Sequence, residues 1–195
     1  SSSIVNTLFN FQLMHFAGED GVAAYGTLMY VNFIFVAIFL GYSIGSAPIV
    51  SYHYGARNSE ELKNLLTKSL KMIGVWGVAL FALAQLIASP LARIFVGYDP
   101  NLFDLTRHGF RIFCLAFLVN GFNIYGSSFF TALNNGLLSA LISFLRTLVF
   151  QIASVLLLPM IFGIDGIWGA VFVAEILTLC VTIICLAKKQ KVYHY

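Results

Sequence analysis

Charged residues are scarce in this sequence. Only 10% of its 195 residues are charged, 11 of them basic and 8 acidic, whereas 59% are hydrophobic. Soluble domains carry about 25% charged residues, so the composition excludes an ordinary soluble domain and predicts an integral membrane protein. The net charge of +3 is small and its basic residues are dispersed, which excludes a nucleic-acid-binding surface.

Cysteine and histidine are also few. The cysteines lie in apolar runs without the spacing of a metal or redox site, so we expect them to pack as small hydrophobic side chains. The histidines are scattered and no two have metal-ligand spacing. We therefore expect no metal and no bound cofactor. These residues are Cys114, Cys180 and Cys185, and His15, His53, His108 and His194.

What the sequence has is long apolar runs joined by short polar loops. The runs predict an all-α integral membrane protein, a bundle of six helices at about 2–16, 22–52, 64–89, 112–133, 137–162 and 164–187. A spanning helix needs about 20 residues, and the first run is shorter. Since the chain opens with Ser1, we expect that run to be the latter part of a spanning helix; a short interfacial helix is the alternative.

Local signals predict where the helices begin and end. Residues 18–21 read as an acidic turn, and residues 58–61 have the form of a helix cap with a carboxylate three residues on. Pro90 is expected to close the third helix. Residues 134–136 and 163–166 are expected to form tight turns.

The distribution of lysine and arginine predicts the orientation. Seven of these residues fall on one side of the bundle and three on the other. Positive charge favours the cytoplasmic side, so we expect the 53–63 loop and the C-terminus in the cytoplasm. The seven are Arg57, Lys63, Lys68, Lys71, Lys188, Lys189 and Lys191; the three are Arg93, Arg107 and Arg111.

Two charged residues fall within the predicted spans. Arg146 lies about nine residues into helix five and Glu175 about twelve from the end of helix six, so their depths agree within roughly 5 Å. Three interpretations stay open: a structural ion pair between neighbouring helices, a role in proton or substrate handling, or an arginine that reaches for lipid headgroups.

Amides form a second group within the spans. A buried amide in hydrocarbon needs a partner on another helix or a water-filled cavity. Because five asparagines fall on three helices, we predict a shared hydrated cavity rather than separate contacts between helices. Met29, with aromatic residues, could supply its adaptable apolar wall. The predicted binding residues are Asn6, Asn10, Met29, Asn32, Asn120 and Asn123.

Residues 41–58, GYSIGSAPIVSYHYGARN, end the second helix. Small residues recur there at helical spacing, and we expect Gly41 and Gly45, then Ser43 and Ala47, to let a neighbouring helix approach closely. Pro48 should bend the segment near its end. The string also matches the G-x-S-x-G pattern of a hydrolase, with Ser43 as nucleophile, but that pattern requires a strand-to-helix turn. We therefore predict that the protein is not an enzyme and has no catalytic residue.

Three stretches resemble the multidrug and toxic compound extrusion (MATE) transporters. The first is residues 41–58, where a glycine-rich run leads to a proline and then to Gly55-Ala56. The second is TALNNG at 131–136, and the third is GIDGIWG at 163–169. The resemblance covers essentially the whole chain. It implies one half, the C-terminal six-helix bundle, of a pseudo-symmetric twelve-helix transporter.

The resemblance also implies a function. Such a protein expels small cationic amphipathic drugs across the bacterial inner membrane in exchange for sodium or protons, as two bundles rock against each other. The implied partners are the N-terminal half, the lipid bilayer and the drugs. Some family members place coupling carboxylates near positions held here by Ser3 and Asn120, which cannot titrate, so the coupling ion is expected in the other half. A lipid-linked oligosaccharide flippase of the same superfamily and a non-transporting membrane scaffold are the alternatives.

Overall fold

The computed structural model describes residues 2–193 and 195, and these residues are almost entirely helical. A 3-10 turn at Cys114–Ala116 joins α3 to α4, and a π-helical turn at Leu145–Val149 joins α5 to α6. Five continuous helical runs are long and apolar enough to cross a membrane. The helices are α1 (Ser2–Gly55), α2 (Ser59–Val96), α3 (Pro100–Phe113), α4 (Phe117–Ala132), α5 (Gly136–Phe144), α6 (Phe150–Leu157), α7 (Pro159–Phe162) and α8 (Ile164–Tyr193).

Helix α1 is two rods rather than one. At Gly18 the backbone leaves helical geometry with a φ of 63°, a conformation that costs glycine little. The rings of Phe9 and Tyr25 then stack with their centroids 5.2 Å apart, which is possible only if the two arms run antiparallel. The described chain is therefore a bundle of six rods, as predicted. The predicted acidic turn at 18–21 is shorter than expected, because Glu19 is already helical.

Helix α2 begins as predicted and ends later. The Asn58 side chain accepts a hydrogen bond from the Glu61 backbone N–H at 3.1 Å, which caps the helix. The prediction that Pro90 closes this helix is wrong, since α2 continues to Val96 with Pro90 inside it. Small side chains before and after Pro90 are buried along α2, namely Ala84, Ala88 and Ala92. Tertiary packing thus outweighs the loss of one backbone hydrogen bond.

Several other helix boundaries also differ from the predicted ones. The predicted approach to helix four is itself helical from Pro100, because Asp99 Oδ1 accepts N–H bonds from Asn101 at 2.8 Å and from Leu102 at 3.2 Å. The tight connection at 134–136 is present. The expected turn at 163–166 is reduced to Gly163, with a φ of 57°, and the last helix runs to Tyr193 instead of about 187.

Helix α4 occupies the centre of the bundle and packs against α1, α2, α5 and α8. Close approach occurs at glycines outside the predicted motif: a Cβ on Gly109 would lie 2.6 Å from the Trp168 ring, and one on Gly126 would collide with Thr182. The expectation for Gly41 and Gly45 is wrong within the described residues, since no atom lies within 4 Å of a Cβ placed on either.

The outer surface of the bundle is apolar. Large hydrophobic side chains are exposed along the spans, such as Val75 at 70%, Leu86 at 76% and Ile94 at 79%. A soluble protein rarely exposes such continuous apolar area, whereas lipid tails accommodate it without cost. The chain is a multi-pass membrane protein.

Candidate functional site: a central polar cavity

A cavity of about 220 Å³ lies between the two arms of α1, the α3–α4 run, the π-helical turn and α8. We call it the central cavity. Its walls combine aromatic rings, amides and one ion pair. The rings belong to Phe9, Tyr25, Phe33 and Phe113, the amides to Asn6, Asn32, Asn120 and Gln151, and the charges to Arg146 and Glu175.

Most of the predicted site residues meet in this cavity. Asn6, Met29, Asn32 and Asn120 line it together with the two predicted charges. Asn120 is only 2% exposed, and its Oδ1 has no hydrogen-bond partner among the residues described. A buried amide oxygen without a partner is costly. This atom is therefore an acceptor available to water or to a ligand.

Arg146 and Glu175 are in direct contact. Nε of Arg146 donates to Oε1 of Glu175 at 2.8 Å, and their side chains are 19% and 2% exposed. The two charges compensate each other in a part of the molecule where neither would be tolerated alone. The contact excludes the interpretation in which Arg146 reaches for lipid headgroups, and it leaves a structural and a transport role open.

Asn123 does not line the central cavity, but it lines a second cavity, described below, that shares Arg146 with the central one. It is fully buried, its amide nitrogen bonds Glu175, and its Oδ1 accepts from Thr182 Oγ1 at 3.0 Å. Asn10 is also displaced from the centre. It lines a wider outer groove of about 390 Å³, which continues outward from the central cavity because Asn6 and Met29 belong to both.

Polar residues of the cavity wall that were not among the predicted site residues include Tyr25 and Gln151. The hydroxyl of Tyr25 donates to Asn6 Oδ1 at 3.2 Å, and Gln151 lines the wall beside Arg146. The helical spacing of Tyr25, Met29 and Asn32 was the signal for the first, because it places all three on one stripe. For Gln151 the signal in the sequence was no more than its position within an apolar run.

The π-helical turn presents Arg146 and Thr147 to the cavity. It widens the helix by one residue, and the N–H of Phe150 bonds back to the carbonyl of Leu145. Such turns occur in helices mainly at functional positions. No local sequence pattern predicted this π-helical turn.

A second cavity, of about 260 Å³, lies on the other side of Arg146. We call it the hydroxyl-lined cavity, since Ser43, Ser127, Ser128, Thr131 and Ser143 contribute to its lining. Ser127 Oγ lies 2.8 Å from Ser143 Oγ, and Ser43 Oγ is buried without a partner among the residues described. Ser43 lies inside helix α1, so the G-x-S-x-G string does not form the turn that a hydrolase nucleophile requires.

The remaining candidate residues are peripheral. Gln85 Nε2 donates to the Arg111 carbonyl at 3.2 Å and holds α2 against α3. Cys114 is buried as expected, but Cys180 is exposed on the apolar surface of α8. His194 lies outside the described residues.

The chain is a six-rod membrane bundle with a central polar cavity. The MatE family model matches residues 1–157, and the chain belongs to this family, whose members are transporters. A curated relative is the probable multidrug resistance protein YoeA of Bacillus subtilis (strain 168), 24% identical over 183 residues. That alignment covers 91% of this chain and 38% of the relative.

Solved structures share the fold. An outward-facing and an inward-facing conformation of a multidrug resistance MATE family transporter both superpose with a TM-score of 0.91 at 19% identity. A transporter of the MOP superfamily from Pyrococcus furiosus superposes with a TM-score of 0.87, also at 19% identity. Each match covers 99% of this chain and 44–45% of the other. The chain spans about two fifths of the length of the proteins that it matches.

Proposed function

We propose that this chain forms the C-terminal half of a cation-coupled multidrug exporter and that the central cavity is its half of the drug-binding site. The observation that carries the proposal is Asn120, whose buried Oδ1 has no partner within residues 2–193 and 195, in a cavity with aromatic walls. Ligand sites combine apolar walls with a few polar groups that fix orientation, and the central cavity has this composition.

The proposed substrates are small cationic amphipathic compounds. The Phe33 ring lines the central cavity and is 66% exposed, so it is available to an organic cation; a cation over an aromatic face is worth about 0.5–2 kcal/mol. The amide oxygens add acceptors. Because Glu175 neutralises Arg146, a cation entering the cavity meets no net repulsion.

The proposed coupling is antiport against sodium or protons, with the coupling ion held in the other, N-terminal half. Neither Ser3 nor Asn120 can titrate, which supports this location. The equal similarity to inward-facing and outward-facing structures supports a bundle that keeps its packing while access alternates. We place the protein in the bacterial inner membrane, with the 53–63 loop and the C-terminus in the cytoplasm.

Two observations favour the exporter over the alternatives. A flippase for lipid-linked oligosaccharides would need a cationic cavity, whereas the arginine of the central cavity is paired with a carboxylate. A scaffold would have its asparagines bonded from helix to helix. Asn123 is bonded in that way, but Asn32 and Asn120 line one cavity together with Asn6.

Efflux measurements test the proposal. The intact protein, as expressed from its gene, should extrude the cationic dye ethidium from cells, and collapse of the sodium or proton gradient should stop extrusion. Asn120→Ala should lower the efflux rate several-fold at unchanged expression. Asn101→Ala is the matched control, because Asn101 lies exposed at the start of α3. Full efflux by Asn120→Ala would contradict the assignment of the site.

A further inference from the structure

We propose that Arg146 and Glu175 set the charge of the molecules that the transporter accepts, and that Arg146 does so for two cavities at once. The inference rests on the proposed function, since it assumes that the central cavity holds the transported compound. It assigns to the pair a role in specificity in addition to its structural contact.

The position of Arg146 is the first observation. Its side chain belongs to the lining of the central cavity and to that of the hydroxyl-lined cavity, whereas Glu175 lines the central cavity alone. Arg146 is therefore next to a compound held in either cavity.

The charge inventory is the second observation. Among the residues that line the two cavities, Arg146 and Glu175 are the ones that carry charge at neutral pH; the others are apolar, amide, hydroxyl or phenol side chains. The net charge of the two cavity linings is zero only while both Arg146 and Glu175 are present. Removing either one leaves a whole unit charge in a weakly polar environment.

The size of that effect follows from Coulomb's law. A unit charge about 8 Å from a charged ligand, at an effective dielectric constant of about 20, changes a binding constant on the order of thirtyfold. Glu175→Gln leaves the guanidinium uncompensated, so it should disfavour cations and favour anions. Arg146→Gln leaves a carboxylate that is 2% exposed and no longer compensated; because a charge so placed is costly, we expect the reverse shift to be smaller. The double variant is neutral again and should return towards the parent.

Equilibrium dye binding to the purified intact protein in detergent measures this selectivity. The probes are ethidium, a cation, and fluorescein, an anion, and the quantity compared is the ratio of their dissociation constants. We expect that ratio to shift at least tenfold towards fluorescein for Glu175→Gln, to shift less and towards ethidium for Arg146→Gln, and to stay within about threefold of the parent for the double variant.

Either single variant could fail to fold, because it breaks a buried ion pair. Gln151→Glu and Gln151→Lys avoid this difficulty, since Gln151 is a half-buried wall residue and the pair stays intact. Gln151→Glu should raise the preference for ethidium and Gln151→Lys should lower it. Ser143→Asp makes the same test from the hydroxyl-lined cavity, where it should also favour ethidium.

The outcomes are distinct. Ratios within twofold of the parent for all folded variants would overturn the inference, while ethidium efflux by the parent would leave the proposed function standing. A shift with Gln151→Glu but none with Ser143→Asp would overturn the part that concerns the second cavity. Absence of gradient-driven efflux by the parent would instead overturn the proposed function.

Discussion

Asn123 holds Glu175 through two hydrogen bonds from one amide nitrogen, 2.8 Å to the backbone carbonyl and 2.7 Å to Oε2. The other carboxylate oxygen, Oε1, accepts from Arg146. Since Thr182 donates to Asn123 Oδ1, both the oxygen and the nitrogen of this amide are engaged. Asn123 therefore fixes the direction in which the carboxylate faces, and it joins α4 to α8 at the depth of the ion pair.

Asn123→Ala should lower the free energy of unfolding by about 1–3 kcal/mol, because it leaves a buried carboxylate short of a donor. Thr182→Val, which removes one neutral hydrogen bond, should cost about 0.5–1.5 kcal/mol. Thermal unfolding of the intact protein in detergent gives the comparison. Asn120→Ala is the matched control on the same helix, and its loss should be small since Asn120 Oδ1 has no partner to lose among the described residues. Equal losses for the two asparagines would contradict this account.

The ion pair predicts a non-additive mutant cycle. Arg146→Met and Glu175→Gln should each destabilise the protein by about 3–5 kcal/mol, because each leaves one buried charge unpaired. The double variant has no buried charge and should regain part of that loss. The measurement is the unfolding midpoint of all four proteins under one set of conditions. If the two losses simply add, the residues do not stabilise each other.

Much of the fold could be predicted because its signals are local. Apolar runs gave the six rods, and the cap at Asn58 gave the start of α2. The end of α2 was mispredicted, since packing of Ala88 and Ala92 carries the helix past Pro90. Helix α4 does approach Ser43 of the small-residue motif, where Ser128 Oγ donates to the Ser43 carbonyl at 3.2 Å. The prediction was wrong for Gly41 and Gly45, because spacing shows that they share a face but not what that face contacts.

The candidate site, like the fold, could be predicted only where its signals are local. Similar depth in the membrane was enough to bring Arg146 and Glu175 together as candidates, and helical spacing grouped Met29 and Asn32. The partnership of Asn123 with Glu175 joins residues 52 positions apart, and no periodicity encodes it. The amides could be recognised as buried, but only the packed bundle separates those that face a cavity from those that hold a neighbour.

The orientation can be tested by labelling single cysteines in intact cells. Asn58 and Tyr98 are both exposed and lie in loops that we assign to opposite membrane faces. We expect Tyr98→Cys to react with a membrane-impermeant maleimide from outside, and Asn58→Cys to react only after the membrane is permeabilised. The parent protein, which keeps its native cysteines, gives the background. Labelling of Asn58→Cys in intact cells would reverse the assignment.

Two glycine substitutions test which face of the bundle is packed and which is open. Gly109→Ala should destabilise the protein by about 1–3 kcal/mol, because the added methyl group overlaps the fully buried ring of Trp168. Gly45→Ala should leave the packing of this bundle unchanged, since the space around it is empty, and alanine is the better helix former by about 1 kcal/mol. The unfolding midpoints of the two variants test this order. If the proposed N-terminal half packs against Gly45, Gly45→Leu will lower efflux but will not lower the thermal stability of this bundle. That result would distinguish a contact between the two halves from a contact within this one.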